Sequence, residues 1–260
     1  MKYFISFLFL SIFCIFSAFA DDNNQEYKPP PPEYYIDSFS KAKKLLLKLY
    51  SDRQITFYCN CQFDQLKKVD ADDCGYIPRK NARRGNRIEW EHVVPAHRFG
   101  SHLTCWSEQA SFPRCIKKNG KTLSGRRCCR KINPSFKEME ADMMNLVPAV
   151  GELNADRSNY AFGMLEGESR RYGQCDFEVN TRQKITEPHV SLRGDIARIY
   201  LYFENKYGLK LTETEEIYFD QWNMDDPIDE WEREKAKRVN QVLLSVGKQR
   251  PNLPIFVETD

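Results

Sequence analysis

The sequence has no marked excess of charge of either sign, no internal repeat and only one long apolar run, at its start. Its 39 lysines and arginines face 37 aspartates and glutamates, for a formal net charge of +2. A balance this close to neutral identifies no partner, so the distribution of charge along the chain has to be considered instead. Without repeats, residues 34 to about 250 fit a single domain that is long enough for a sizeable core.

The single apolar run predicts a signal peptide at residues 1–20. Lys2 supplies its positive end, Phe4 to Phe19 is apolar apart from small serines, and Ala18-Phe19-Ala20 has the form of a cleavage site. A membrane anchor is the weaker alternative, because a polar, Pro-rich linker at 21–33 follows at once. We therefore expect a periplasmic or secreted protein with no stable membrane association after cleavage, and a monomer.

The cysteines that follow the leader predict disulfides. Eight remain, an even number in an exported chain: Cys59, Cys61, Cys74, Cys105, Cys115, Cys128, Cys129 and Cys175. A zinc site is the alternative, suggested by Cys59-Asn60-Cys61 and by the pair Cys128-Cys129. Neither has the two-residue spacing of structural zinc sites. The spacings do not decide the pairing.

Hydrophobic periodicity predicts an α+β fold, mostly helical, with a small strand unit in the middle of the chain. We expect helices near 39–51, 136–146, 193–207 and 213–222, a last helix from near Pro227, and strands at Ile55–Phe63 and Arg87–Val94. Pro148 is expected to end the second helix and Gly208 the third. Thr212 and Glu215 form a capping box, and Asp226 is the expected N-cap of the last helix.

Basic residues concentrate in the middle of the chain. Between Arg79 and Asn133 there are 14 lysines and arginines against three glutamates. A basic segment with glycines and aromatics suits a polyanionic partner. A solvated surface is the ordinary alternative for a charge run alone, but this run overlaps the candidate catalytic residues.

Three segments carry residues suited to phosphodiester cleavage: 87–97, 140–149 and 151–160. That reaction needs a base for water and positive charge on the phosphoryl oxygens and the leaving oxygen. Glu91, His92 and Asn145 could supply a base and two oxygen ligands, if the helix near 136–146 packs on the strand unit. A zinc site from His92, His97 and His102 fails, because five-residue steps share no helical face.

Residues Arg87–Gly100 and Asp142–Asn159 resemble the bacterial endonuclease I family, periplasmic or secreted nucleases of the ββα-metal (His-Me finger) type. The resemblance extends from about Phe39 to Gln249. It implies a disulfide-stapled α+β domain around a ββα-metal unit, here over 34–260. The family often has a cysteine after the Trp-Glu of its last helix, where this chain has Arg233, so its disulfide pattern cannot be carried over.

The resemblance also implies roles for individual residues. His92 would activate water, and Glu91 and Asn145 would bind Mg²⁺, with Mn²⁺ able to substitute. Asp142 is the alternative ligand or an orienting partner. Glu91 and His92 point to opposite faces of a regular strand, so the strand must end or twist there for both to reach one site.

An arginine after the first motif would hold the scissile phosphate. Arg114 is our candidate, with Arg126 and Arg127 as alternatives that could also contact substrate, and with Arg87 and Arg157 as further phosphate contacts. The implied activity is cleavage of DNA and RNA to 5′-phosphate ends with little regard for sequence. The competing hypothesis is a secreted nucleic-acid-binding protein without catalysis, which needs neither the Glu-His pair nor Asn145.

Overall fold

The computed structural model describes residues 33–167 and 170–249. The predicted signal peptide, with Cys14, and the linker up to residue 32 lie outside these residues. The helices are α1 (Phe39–Leu49), α2 (Ala71–Cys74), α3 (Ala82–Gly85), α4 (Ala96–Gly100), α5 (Thr104–Ser107), α6 (Gly125–Ile132), α7 (Pro134–Ala141), α8 (Gly151–Arg157), α9 (Arg193–Tyr207), α10 (Glu213–Asp225) and α11 (Glu230–Val246). The strands are β1 (Tyr34–Tyr35), β2 (Ile88–His92), β3 (Leu146–Val150), β4 (Ala161–Phe162), β5 (Phe177–Asn180), β6 (Ile185–Pro188) and β7 (Lys248–Gln249).

More of the described residues lie in helices than in strands, which confirms the predicted, mostly helical α+β class. β2 pairs with β3 and β1 with β7, both antiparallel, and β6 lies between β4 and β5 in a third small sheet. None of the helices within 33–167 and 170–249 is long and apolar enough to cross a membrane.

Local signals set the ends of three helices, and those at Gly208 and at Thr212 and Glu215 were predicted. The side chain of Ser38 accepts from the Lys41 amide at the start of α1. Gly208 ends α9 with φ of 68°, a left-handed conformation that glycine adopts without steric cost. At α10 the capping box of Thr212 and Glu215 is present in both directions.

Two other predictions were wrong. Ile55–Phe63 is not a strand but a disulfide-stapled stretch of turns with isolated bridges, such as Ile55 to Gln62. The last helix begins at Glu230, not near Pro227, because Asp229 rather than Asp226 caps it. Asp226 instead accepts from the Gly194 amide at the start of α9.

The segment from 136 to 150 differs most from the prediction. α7 ends at Ala141, because the extended Asp142 caps a separate 3₁₀ turn, Met143–Asn145. Pro148 does not end a helix but lies inside β3, a wholly buried strand. Its carbonyl accepts from the Phe57 amide and therefore points away from β2. The nitrogen of the same residue points to the same side in a strand, so the missing N–H removes no hydrogen bond to β2.

The eight cysteines among the described residues all form disulfides, which confirms the disulfide prediction and leaves none of them as a thiolate that could bind zinc. The pairs are Cys59–Cys175, Cys61–Cys74, Cys105–Cys129 and Cys115–Cys128. The last two join α6 to α5 and to the 3₁₀ turn Pro113–Cys115. Each bridge is expected to stabilise the fold by about 2–4 kcal/mol.

We expect the exported protein to expose no free thiol, either before or after denaturation, and to lose thermal stability when reduced. The measurement is a thiol titration in denaturant with and without reductant, beside a melting curve of each form. Two or more free thiols in the active, unreduced protein would contradict the pairing.

Candidate active site

A β-hairpin followed by one helix forms the centre of the site. β2 runs antiparallel to β3, with His92 opposite Leu146 and Ile88 opposite Val150. α8 begins at the next residue, Gly151, and packs on both strands. A Cβ at Gly151 would lie 2.8 Å from the carbonyl oxygen of Arg84, so only glycine allows this close turn from strand to helix.

A cleft of about 730 Å³ opens over this unit. Both Glu91 and His92 line it, because β2 ends at His92 and the regular alternation of side chains ends there. Other side chains that line it include Phe39, Lys43, Glu89, Arg126, Arg130 and Asn154.

Glu91 is a buried carboxylate with one oxygen occupied. Its Oε1 accepts from the Tyr58 hydroxyl and from Arg157 Nη1, both at 3.2 Å. No side chain among the described residues donates to Oε2, and the backbone amide of His92 also stabilises the ionised carboxylate. Burial raises the pKa of Glu91 to about 7, against the opposing charge of Arg157. A cation at Oε2 would stabilise the ionised form.

His92 is held as a neutral imidazole with one nitrogen lone pair available. Its Nε2 lies 2.9 Å from the carbonyl oxygen of Glu140, which can only accept, so Nε2 carries the proton. Nδ1 is therefore the basic nitrogen, and it accepts a long hydrogen bond from Arg126 Nη2 at 3.5 Å. Burial and the charge of Arg126 lower the pKa of His92 to about 3. The Phe39 ring, 4.9 Å away between centroids, fixes the imidazole from the side.

The Glu140 side chain fixes two arginines at the edge of the cleft. One carboxylate oxygen accepts from Arg126 Nε at 2.6 Å and the other from Arg130 Nε at 2.6 Å. Burial opposes the charge on Glu140, but these bonds outweigh it and hold its pKa below the ordinary value. Arg126 is thereby directed towards His92, where a phosphate would meet both side chains.

Asn145 does not lie in this cleft. Its Oδ1 accepts from the Val94 amide at 2.7 Å and its Nδ2 donates to the Val94 carbonyl at 2.9 Å. The side chain is fully buried and fastens the chain after β2 to the start of β3. Asp142 is occupied as well, by the hydroxyls of Tyr202 and Tyr207 and by Lys206.

Asn154 occupies the position that was expected for Asn145. It lies on α8 and lines the cleft with Glu91. Its Nδ2 donates to Glu89 at 3.2 Å, which leaves Oδ1 without a hydrogen bond from the described residues. The sequence signal for Asn154 was its place in the 151–160 segment, directly after a buried apolar run that proved to be the second strand.

The predicted arginines separate into one in the cleft and four outside it. Arg126 lines the cleft, whereas Arg114 and Arg127 are exposed outside it. Arg114 donates to the Lys131 carbonyl at 3.3 Å. Arg87 is exposed and pairs with Glu89.

Arg157 cannot contact a phosphate, because its side chain is fully buried. Nη1 donates to Glu91 and to the His92 carbonyl, and Nη2 donates to the Val93 carbonyl at 2.6 Å. It thereby holds the end of β2 and the carboxylate of Glu91 in place.

The residues present suit a hard divalent cation better than zinc. Glu91 Oε2 and Asn154 Oδ1 are two oxygen donors on facing elements of one cleft, and Mg²⁺ needs few protein oxygens because it keeps waters and takes phosphate oxygens. Within the described part of the chain, no group of three or more His, Cys, Asp or Glu side chains is placed to hold a metal.

A family model and several known proteins that this chain resembles indicate the same family. The Endonuclease I family model matches residues 15–251. An extracellular deoxyribonuclease of Aeromonas hydrophila is 41% identical over 228 residues, covering 86% of this chain and 90% of that protein. A periplasmic deoxyribonuclease of the same species is 40% identical over 225 residues, covering 85% of each. Endonuclease-1 of Buchnera aphidicola subsp. Acyrthosiphon pisum (strain APS) is 38% identical over 207 residues, covering 78% of this chain and 76% of that protein.

Proposed function

The chain belongs to the endonuclease I family, as its motifs predicted, and on that premise we propose that it is an exported, Mg²⁺-dependent endonuclease. It acts outside the cytoplasm, as the names of its Aeromonas relatives suggest. It hydrolyses phosphodiester bonds of DNA, and of RNA, without reading sequence. The observation that supports this most directly is the neutral His92, whose Nδ1 lone pair lies beside Arg126 in a cleft that also holds Glu91 and Asn154.

In the proposed reaction, His92 Nδ1 takes the proton from a water molecule that attacks the scissile phosphorus. The Glu140 carbonyl keeps Nε2 protonated, so the ring accepts at Nδ1 alone and the imidazolium that forms donates from both nitrogens. The water oxygen becomes part of the 5′-phosphate product. The bond to the 3′ oxygen breaks, and that oxygen ends as a hydroxyl.

Arg126 binds the phosphoryl oxygens that gain charge during attack. Its Nε is engaged by Glu140, so the outward Nη atoms are already oriented when substrate arrives, and little reorganisation is needed. We assign this role to Arg126 rather than to Arg114, the first candidate, because Arg126 lines the cleft and Arg114 does not.

Glu91 and Asn154 would hold the cation, which when bound supplies positive charge to the phosphate and the leaving oxygen. Tyr58 and Arg157 hold the Glu91 carboxylate through Oε1, and Glu91 lines the cleft. These two contacts fix the side chain before a cation binds.

The first test is incubation of the purified, signal-free protein with plasmid DNA and with RNA, with and without EDTA. We expect both substrates to be degraded to 5′-phosphate ends, no cleavage in EDTA, and recovery with Mg²⁺ or Mn²⁺. Full activity in EDTA, or recovery with Zn²⁺ alone, would contradict the proposed metal chemistry. Binding without any cleavage in Mg²⁺ would favour the non-catalytic binding protein.

We expect the need for Mg²⁺ to increase as the pH falls. A proton and the cation compete for Glu91, whose pKa burial raises to about 7. Below about pH 7 the half-saturating Mg²⁺ concentration should therefore rise by up to about tenfold per pH unit. The rate at saturating Mg²⁺ should change far less, because His92, with a pKa of about 3, stays neutral in this range. Titrations of cleavage with Mg²⁺ at about pH 6 and pH 8 test this, and equal half-saturating concentrations would contradict it.

A further inference from the structure

A second cavity of about 310 Å³ adjoins the catalytic cleft. The two cavities share Phe39, Lys43 and Arg130 in their linings. Asp37, Ser38 and Ser40 at the start of α1 and the α7 residues Lys137 and Glu140 complete the second cavity, which we call the flanking pocket. A nucleic-acid strand that runs from the scissile phosphate over Phe39 would enter the flanking pocket.

Phe39 lines both cavities, and three cationic side chains surround its ring. On one side it contacts the His92 imidazole. The ammonium of Lys43 lies 4.6 Å from the ring centroid, and the guanidinium carbons of Arg126 and Arg130 lie at 5.6 and 5.8 Å. An apolar, half-exposed ring among cations is the arrangement that proteins use for a nucleotide's base or sugar beside its phosphate.

The positive charge around the flanking pocket is only partly neutralised. Arg126 and Arg130 share one carboxylate, that of Glu140. Among the described residues, no carboxylate forms an ion pair with Lys43 or Lys137. The Asp37 carboxylate also lines the pocket and interacts with the charge of Lys137, but its ion pair is with Lys248. Lys43 is half-buried, and burial together with neighbouring cations lowers its pKa. Crowded like charges raise the energy of the free protein, and a bound anion would relieve that repulsion.

We infer that the flanking pocket binds the phosphate adjacent to the scissile one on the same strand, through Lys43 and Arg130, with Lys137 at its far side. This inference rests on the proposed function, which places the scissile phosphate beside His92 and Arg126. A neighbouring phosphate is the anion that fits, because the covalent backbone of the substrate already brings it there. The contact reads charge and not bases, in keeping with cleavage that ignores sequence.

The first experiment measures binding of a single-stranded oligonucleotide to the His92→Ala protein between about 50 and 200 mM salt. Adding Lys43→Gln should weaken binding about tenfold at low salt and reduce the log–log salt slope by about 0.7, the value for one lost phosphate contact. Lys43→Arg should restore both. Lys44→Gln is the matched control, since Lys44 is exposed on the same helix and lines neither cavity. Equal losses for Lys43→Gln and Lys44→Gln would overturn the inference.

The second experiment locates the contact one phosphate away from the cleavage site. Thymidine dinucleotides with no terminal phosphate, a 5′-phosphate or a 3′-phosphate compete with plasmid cleavage. We expect one terminal phosphate to lower the inhibition constant about tenfold in the wild type and in Lys44→Gln, but not in Lys43→Gln. If plasmid is cleaved yet neither terminal phosphate helps, or the gain survives Lys43→Gln, the flanking pocket is not a phosphate site. Failure to cleave plasmid at all would instead refute the proposed function.

Discussion

Replacing His92 with alanine is expected to lower the single-turnover rate of DNA cleavage by a factor of about 10²–10⁴ or more, the usual contribution of a general base. The structure gives the reason, since Nδ1 is the only lone pair on a ring whose other nitrogen is engaged by the Glu140 carbonyl. Glu91, Asn154 and the basic side chains remain in the variant, so affinity for DNA should be nearly unchanged.

His102→Ala is the matched control for this prediction. His102 is exposed and lies outside the cleft, so its loss should leave both rate and affinity close to those of the wild type. A His92→Ala protein that cleaves within about threefold of wild type has lost far less than a base supplies, and the central assignment would then be wrong.

Asn154→Ala and Asn145→Ala are expected to fail in opposite ways. Asn154→Ala should lower cleavage at fixed Mg²⁺ by about 100-fold or more, with an unchanged melting temperature, because it would remove one of the two oxygens proposed to bind the metal. Asn145→Ala should lower stability, since the buried Val94 amide and carbonyl each lose a partner, at about 1–3 kcal/mol per group. The folded fraction of that protein should retain most of its activity per bound Mg²⁺.

Melting curves and Mg²⁺ titrations on both variants distinguish these effects. Asn154→Asp offers a further comparison, because a carboxylate keeps an oxygen in the cleft and should retain more activity than alanine. If Asn145→Ala abolishes cleavage while the protein stays fully folded, and Asn154→Ala leaves cleavage intact, the metal ligand is Asn145 after all.

The residues around Glu91 and His92 could be proposed from sequence because they are adjacent in the chain. Two neighbouring residues at the end of an alternating segment stay together in any fold, so their meeting in one cleft needs only a strand that ends there. The α+β class and the disulfides also follow from local or compositional signals, namely periodicity, caps and an even number of cysteines in an exported chain.

The residues from other parts of the sequence that join Glu91 and His92 in the cleft could not be assigned in the same way. Asn145 and Asn154 both occur in the quoted motifs, and they are separated by a single short strand. The choice between them depended on whether 146–150 is the end of a helix or a strand, and Pro148 favoured the former on local rules alone. Pairing with β2 and burial on all sides made it a strand, since tertiary burial outweighs local preference.

The arginines could not be assigned from sequence either. Whether each one is buried or exposed depends on tertiary contacts, which the spacing of residues in the sequence does not predict. Arg157 is buried because Glu91 and two backbone carbonyls engage it, and Arg126 faces the cleft because Glu140 fixes its Nε. Both arrangements join side chains from different elements of the fold.

The sequence by itself determined the family, the fold class, the use of the eight cysteines after residue 20 in disulfides, and the presence of Glu91 beside His92 in the candidate site, because each depends on composition or on residues adjacent in the chain. Only the tertiary structure decided which asparagine and which arginine face the cleft, which carbonyl sets the His92 tautomer, and that Phe39 and Lys43 from the first helix lie beside it. Those choices depend on burial and hydrogen bonding between distant segments, and a buried polar group takes whichever partner the packed chain brings within reach.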